Sequence, residues 1–203
     1  MPLNRDLLVL EPNLFRDVLW LGQRLLVGEA SLTGAALTLT TPGLTFSGIS
    51  AGDVIVINTT YCEIVSIDAD TLATISLIRS STDDPPHPPP AGTGLAVGVT
   101  TFAPQIALAE RQTLAIFGLT PADLPAITNR QVLDDLVALA ALLLIYSAAA
   151  ALAPPGAPAE ARLAHHRARF SALRARAAIQ IDFDNDGEPD ALRRASVAPL
   201  VRS

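Results

Sequence analysis

The spacing of apolar residues changes period twice along this chain, and the changes divide it into three stretches. From Pro12 to Leu26 the apolar residues Leu14, Phe15, Val18, Leu19, Leu25 and Leu26 recur at helical spacing, with Arg16, Asp17, Gln23 and Arg24 mostly opposite. This predicts an amphipathic helix with Pro12 at its first position, where the missing N–H costs nothing, and Gly28 as its stop. Asp6 to Leu10 reads as extended. From about Ser31 the period becomes that of strands, with Leu32, Leu37, Leu39, Leu44 and Phe46 separated by threonine, serine and glycine. The β-branched runs Val54–Ile57, Tyr61–Ile67 and Thr71–Leu77 follow, bounded by Asn58-Thr59-Thr60 and Asp68-Ala69-Asp70. Ser80 to Gly94 carries Asp83-Asp84-Pro85-Pro86-His87-Pro88-Pro89-Pro90, cannot enter a sheet, and reads as an extended, exposed loop before a last strand at Leu95–Val99. Short strands joined by tight turns predict a small β-barrel or a curled antiparallel sheet.

The second half is helical. Pro104 to Phe117 presents Ile106, Leu108, Ala109, Leu114 and Phe117, and Gly118 closes it. Thr120 and Asp123 stand in capping-box positions around a short turn, and Thr128 or Asn129 caps a helix from Arg130 to about Leu152 that stops at Ala153-Pro154-Pro155-Gly156. That helix is apolar on nearly every side, so it must be surrounded by its own chain or by neighbouring copies. In the last helix, about Pro158 to Ala178, Leu163, His166, Phe170, Leu173 and Ala177 follow a three-four alternation flanked by Arg162, Arg167, Arg169, Arg174 and Arg176. Two readings fit those arginines: cations lying over the seam and reaching water, or a contact surface for an acidic partner or DNA phosphates. The expected class is α+β: a small helical bundle (residues 1–29 and 102–180) carrying a β insertion (30–101, with the proline-rich loop at 80–94), then an acidic turn and extended C-terminal tail (181–203).

Composition narrows the function classes. Of 203 residues 50% are hydrophobic, enough for one sizeable core or two small ones. A net charge of −6 and a pI near 4.9 give no global attraction to nucleic acid or anionic membrane, so any basic surface is local. Every basic residue is arginine. The single cysteine, Cys62, excludes an intrachain disulfide and falls in a strand pattern, which predicts a buried thiol. Met1 to Asp6 has no basic region followed by an apolar core, so cytoplasmic synthesis is expected. The uncharged run Leu136–Ala153 approaches the length of a membrane span, yet its alanines, its lack of an aromatic belt and the flanking Asp134 and Asp135 favour a buried helix.

One segment has ligand spacing. Asp182, Asp184 and Asp186, then Gly187, Glu188 and Asp190, match the front of a calcium loop, because hard cations need several oxygens converging at a sharp turn. Position twelve is Arg193 where a bidentate glutamate belongs, and no helix clearly enters the motif in register, so the competing reading is a polar turn in which aspartates cap backbone amides and Gly187 takes a positive φ. A bound Ca²⁺ or Mg²⁺ is the only cofactor the pattern admits. His87, His165 and His166 are not placed as ligands or bases, and no nucleophile elbow or phosphate-cradling glycine loop occurs, so no catalytic residue is assigned.

The order of these parts resembles the head-to-tail adaptor (connector) proteins of tailed bacteriophages. The likeness rests on the opening helix Pro12–Leu26, the β insertion, Phe102-Ala103-Pro104-Gln105-Ile106 leading to Phe117-Gly118-Leu119, the Ile127-Thr128-Asn129 helix start, and the acidic turn running into Val197-Ala198-Pro199-Leu200-Val201-Arg202. It is a likeness of organisation over most of the chain, without an invariant motif. It implies a non-enzymatic virion neck protein, a ring of about twelve copies under the portal protein that joins capsid to tail and lets DNA pass without sequence-specific contact or membrane. Val197, Leu200, Val201 and Arg202 would then dock on portal, tail or terminator proteins. Two alternatives are another neck or tail component, such as a terminator or completion protein, and a calcium-stabilised bacterial binding module.

Overall fold

A computed structural model describes residues 1–195 and contains a closed six-stranded antiparallel barrel and several helices. Two compact units divide the chain, residues 3–103 and the remainder from Pro104 together with Met1 and Pro2.

The first unit is the barrel. Its strands are β1 (Arg24–Thr33), β2 (Ala36–Leu39), β3 (Val54–Ile57), β4 (Thr60–Ala69), β5 (Leu72–Ser76) and β6 (Gly92–Thr100), paired in the order β1-β2-β5-β4-β3-β6 and closing on β1. Alternation fills the interior: Ala30 and Leu32, Leu37 and Leu39, Ile55 and Ile57, Cys62 and Ile64, Ala73 and Ile75, Val97 and Val99 point inward and are buried, with Phe46 and Ile49 added from the loop after β2. Closure leaves no unpaired edge. The hairpin β3–β4 turns on Asn58 at φ 55°, a conformation asparagine tolerates. The barrel matches the sequence reading, and the proline loop does so with two corrections: residues 92–94, expected outside the sheet, open β6, and Pro89 is buried while the other prolines of the loop are exposed.

The N-terminal reading does not hold. No helix spans Pro12–Leu26; instead α1 (Asn4–Leu10) and the single turn α2 (Leu14–Asp17) lead through a 3₁₀ turn at Leu21–Gln23 into β1. Residues 3–29 belong with the barrel unit, not with a helical bundle. Asp6 stabilises the α1 start by accepting the Leu3 N–H at 2.7 Å. Buried Asn4 ties the helix to the barrel, donating to Asp53 at 2.7 Å and Thr101 at 2.9 Å and accepting from the Phe102 amide at 2.8 Å. Tertiary anchoring therefore overrides the extended pattern of residues 6–10.

Leu25 and Leu26 sit on opposite faces of a strand, the first 44% exposed and the second 3%. Gly28 is a mid-strand residue rather than a helix stop. A Cβ there would lie 2.6 Å from Leu44 Cδ2 and 2.8 Å from Thr41 Oγ1, so glycine is required where residues 41–44 cross β1.

The second unit holds α3 (Ala103–Ile116), a 3₁₀ turn (Pro121–Ala126), α4 (Arg130–Leu152) and α5 (Pro158–Arg176). Gly118 at φ 67° ends α3, and Asp123 accepts the Thr120 N–H at 2.7 Å, as the capping pattern predicted. A hairpin of β7 (Ala178–Ile181) and β8 (Ala191–Arg194) follows α5, so residues 191–194 form a strand where an extended tail was expected. The Asn129 side chain does not cap α4. It donates to Ala178 O and accepts from the Gln180 N–H, both at 2.8 Å, and binds β7 to the α4 entrance.

Candidate functional sites

The acidic segment is the loop of the β7–β8 hairpin. Asp182, buried at the end of β7, accepts the amides of Asn185 at 2.7 Å and Gly187 at 2.9 Å, which holds its carboxyl below the ordinary value, the Gly187 bond contributing most. Gly187 at φ 93° and Asn185 at φ 61° make the turn. Asp190 accepts the Phe183 N–H at 2.7 Å and Asp186 that of Glu188 at 2.8 Å, so the loop is the amide-capped turn of the two sequence readings. The same fold brings oxygens of Asp182, Asp184 and Asp190 within 4.8 Å of one another, a set of hard donors suited to a divalent cation. Asp186 and Glu188 stand outside that group. Strands rather than helices flank the loop and Arg193 lies on β8, so the segment is no helix-loop-helix calcium site.

The arginines of α5 separate into three sets. Arg162 belongs to the packing against α4: its Nη1 donates to Tyr146 Oη at 3.2 Å, and its guanidinium lies 5.9 Å from the Tyr146 ring centroid. Tyr146 in turn stacks on buried His166, centroids 5.4 Å apart, while adjacent His165 is exposed. Arg167, Arg169 and Arg176 are exposed, and Arg169 and Arg176 share a face two turns apart. Half-buried Arg174 lines a shallow cleft with Ser171 and with Arg194 of β8, a contributor that linear spacing does not reveal. Val197, Leu200, Val201 and Arg202 lie outside the described residues.

α4 is long and apolar enough to cross a membrane, with a mean hydropathy of 2.1, half of it buried. Its stretch from Leu136 to Leu142 is buried throughout, with Leu133, Ile145 and Tyr146, and it packs on α5 and β7. Ser147, Ala148, Ala151 and Leu152 are exposed, Leu152 to 79%.

Two features of the barrel unit were invisible in sequence. Glu63 on β4, 1% exposed, accepts from Arg79 Nε at 2.6 Å and from the Arg79 N–H at 3.1 Å, and lies 2.9 Å from Arg5 Nε. Arg5 Nη2 donates to Arg79 O at 2.7 Å, and Arg79 Nη1 donates to Thr82 O at 2.8 Å and Asp84 O at 2.6 Å, which fixes the root of the proline loop. Burial, with the Glu63 charge second, pushes the Cys62 thiol up to about 12, so it stays protonated and unreactive at neutral pH. The other feature is a groove of about 300 Å³ on the outer wall of β1, β6 and β3, lined by Phe15, Leu19, Val27, Val56, Tyr61 and Gly98, with Arg24 among the residues around it. Leu19 and Val27 are 61% and 55% exposed there.

Compared with known proteins, the chain matches no family model, no curated protein and no solved structure.

Proposed function

We propose that the chain is a non-enzymatic structural protein of a bacteriophage virion neck, a head-to-tail adaptor whose copies form a ring under the portal and join the capsid to the tail. The observation that carries this reading is the uncovered end of α4. Ser147 to Leu152 contains no charge, and its exposed residues leave apolar surface in water at the end of a helix whose preceding turns are the core of the unit. Such a surface is stabilised by burial against another protein, and identical neighbours in a closed ring supply it for every copy. Burial of Leu136 to Leu142, with Leu133, Ile145 and Tyr146, in the packing of α4 on α5 and β7 favours this over a membrane span.

In this reading α3, α4 and α5 form the helical bundle of the ring, and residues 196–203 are the tail that docks on portal, tail or terminator proteins. Arg167, Arg169 and Arg176 offer unspecific charge to DNA phosphates in the channel, and that contact weakens with salt. The ring order, about twelve, comes from the resemblance alone.

The deciding experiment removes the protein from the phage that encodes it. Filled heads without tails are expected under electron microscopy, and normal virions overturn the reading. Complete heads with tails of aberrant length indicate a tail terminator instead.

A further inference from the structure

We infer that the proline ridge Pro85–Pro90 of one copy seats in the barrel-wall groove of the next, a head-to-tail contact between the β-barrels of neighbouring subunits. The inference rests on the reading that copies assemble side by side, and names a contact for it.

The ridge is built to be presented. Pro85, Pro86, His87, Pro88 and Pro90 are exposed, yet the segment is held at both its root and its middle. Arg79 grips the carbonyls of Thr82 and Asp84, while the His87 N–H donates to Ser76 Oγ and the His87 carbonyl accepts the Leu77 N–H, each at 2.8 Å. Prolines that are already fixed in φ lose little further entropy when they dock, which is why such segments suit aromatic-lined grooves.

The groove has the matching chemistry. Half-buried Tyr61 supplies aromatic surface over buried Phe15, Leu19 and Val27 supply exposed apolar surface, and Gly98 leaves the β6 backbone without a side chain where an extended segment would lie. Its volume of about 300 Å³ is at the small end for ligand sites and takes a few residues, not a folded element. Charge is complementary too: Asp83 and Asp84 precede the prolines, and Arg24 of the groove is exposed.

The chain's own ridge, which leads from β5 into β6, does not fill this groove: none of residues 85–90 is among its lining residues. A ridge of one copy in the groove of another joins two different surfaces, a heterologous contact that closes into a ring when the rotation per copy allows.

The test uses the full chain. A peptide with the sequence of residues 81–91 is titrated into the full chain carrying Pro86→Ser and Pro88→Ser, whose groove no neighbouring ridge fills, while the fluorescence of Trp20, the sole tryptophan and the neighbour of Leu19, is followed. Saturable binding is expected, weakened at least roughly tenfold by Gly98→Val and by Arg24→Glu. A peptide carrying arginine in place of Asp83 and Asp84 should recover binding to the Arg24→Glu chain.

A Cβ at Gly98 would find only ordinary contacts, 3.5 Å to Val56 Cγ1 and 3.6 Å to Leu26 O, so the site admits a first side-chain carbon, and circular dichroism of Gly98→Val checks that the barrel is kept. Light scattering then compares Gly98→Val with the double variant Pro86→Ser, Pro88→Ser. Each alone should fail to assemble, and an equimolar mixture should stop at a dimer of one of each, since only one competent contact remains.

No peptide binding to the Pro86→Ser, Pro88→Ser chain, or equal binding when Gly98→Val is added to it, overturns the inference. Assembly of both variants at full size also overturns it and leaves the ring reading standing. A natural chain that remains monomeric overturns both the contact between copies and the ring.

Discussion

At the scale of single residues, the strongest dependence is on Glu63. Two guanidinium groups and one carboxylate share a site in which all three residues are 7% exposed or less. Removing the carboxylate leaves two buried cations facing each other. Glu63→Gln should therefore cost about 3–5 kcal/mol in urea unfolding, the usual penalty for breaking a buried charged set, and should loosen the proline loop. Asp182 gives the opposite kind of dependence. Its folded-state pKa is depressed by the Gly187 and Asn185 amides, so its contribution is complete above the unfolded value near about 3.9 and is lost as pH falls through the lower folded value. Acid titration of Asp182→Asn should show a shallower loss of stability below pH ~4 than the natural chain shows. If the carboxylate trio accepts a cation, calorimetric titration with Ca²⁺ shows heat that Asp184→Ala abolishes, and no heat in either chain leaves the loop a purely amide-capped turn.

At the scale of elements, Gly28 shows how one residue supports two readings. After an apolar run with helical spacing a glycine is a stop signal; between Val27 and Glu29 of β1 it is the gap through which Thr41 and Leu44 pass. Gly28→Ala should destabilise the barrel by about 1–3 kcal/mol, read by thermal unfolding, because its methyl would overlap both side chains. The same ambiguity explains the lost N-terminal helix. Leu14, Phe15 and Val18 are buried as that helix required, but Leu19 and Leu25 are exposed, and the alternation of Leu26, Ala30 and Leu32 inward had the period of a strand. Elements whose signal was local were legible: α4 runs from Arg130 to Leu152 as its Pro-Pro-Gly stop predicted, and β3 to β5 lie where their β-branched runs fall. Strand β8 carried no such signal. Only its pairing with β7, itself tied down by Asn129, makes Ala191–Arg194 extended.

At the scale of the whole molecule, self-association is the property on which the proposed role depends. A charge placed on the uncovered end of α4 tests it, since Ala148→Glu or Leu152→Glu removes no buried contact. Either should leave folding within about 0.5 kcal/mol while shifting scattering from assembly to monomer. Unchanged assembly would move the subunit contact elsewhere on the chain.

Alternation, turn residues and proline content by themselves determined that this protein has a small antiparallel β module, an exposed proline loop, an acidic turn and, of the four helices they predicted, the three that follow Phe102. Each of these follows from interactions within a few residues. The tertiary structure alone decided that the N-terminal segment joins the barrel, that three of five acidic residues converge, that Arg162 packs on Tyr146, and that Glu63 holds Arg5 and Arg79. Those outcomes depend on groups far apart in the chain, brought together by barrel closure and helix packing, and local patterning carries no record of such distances.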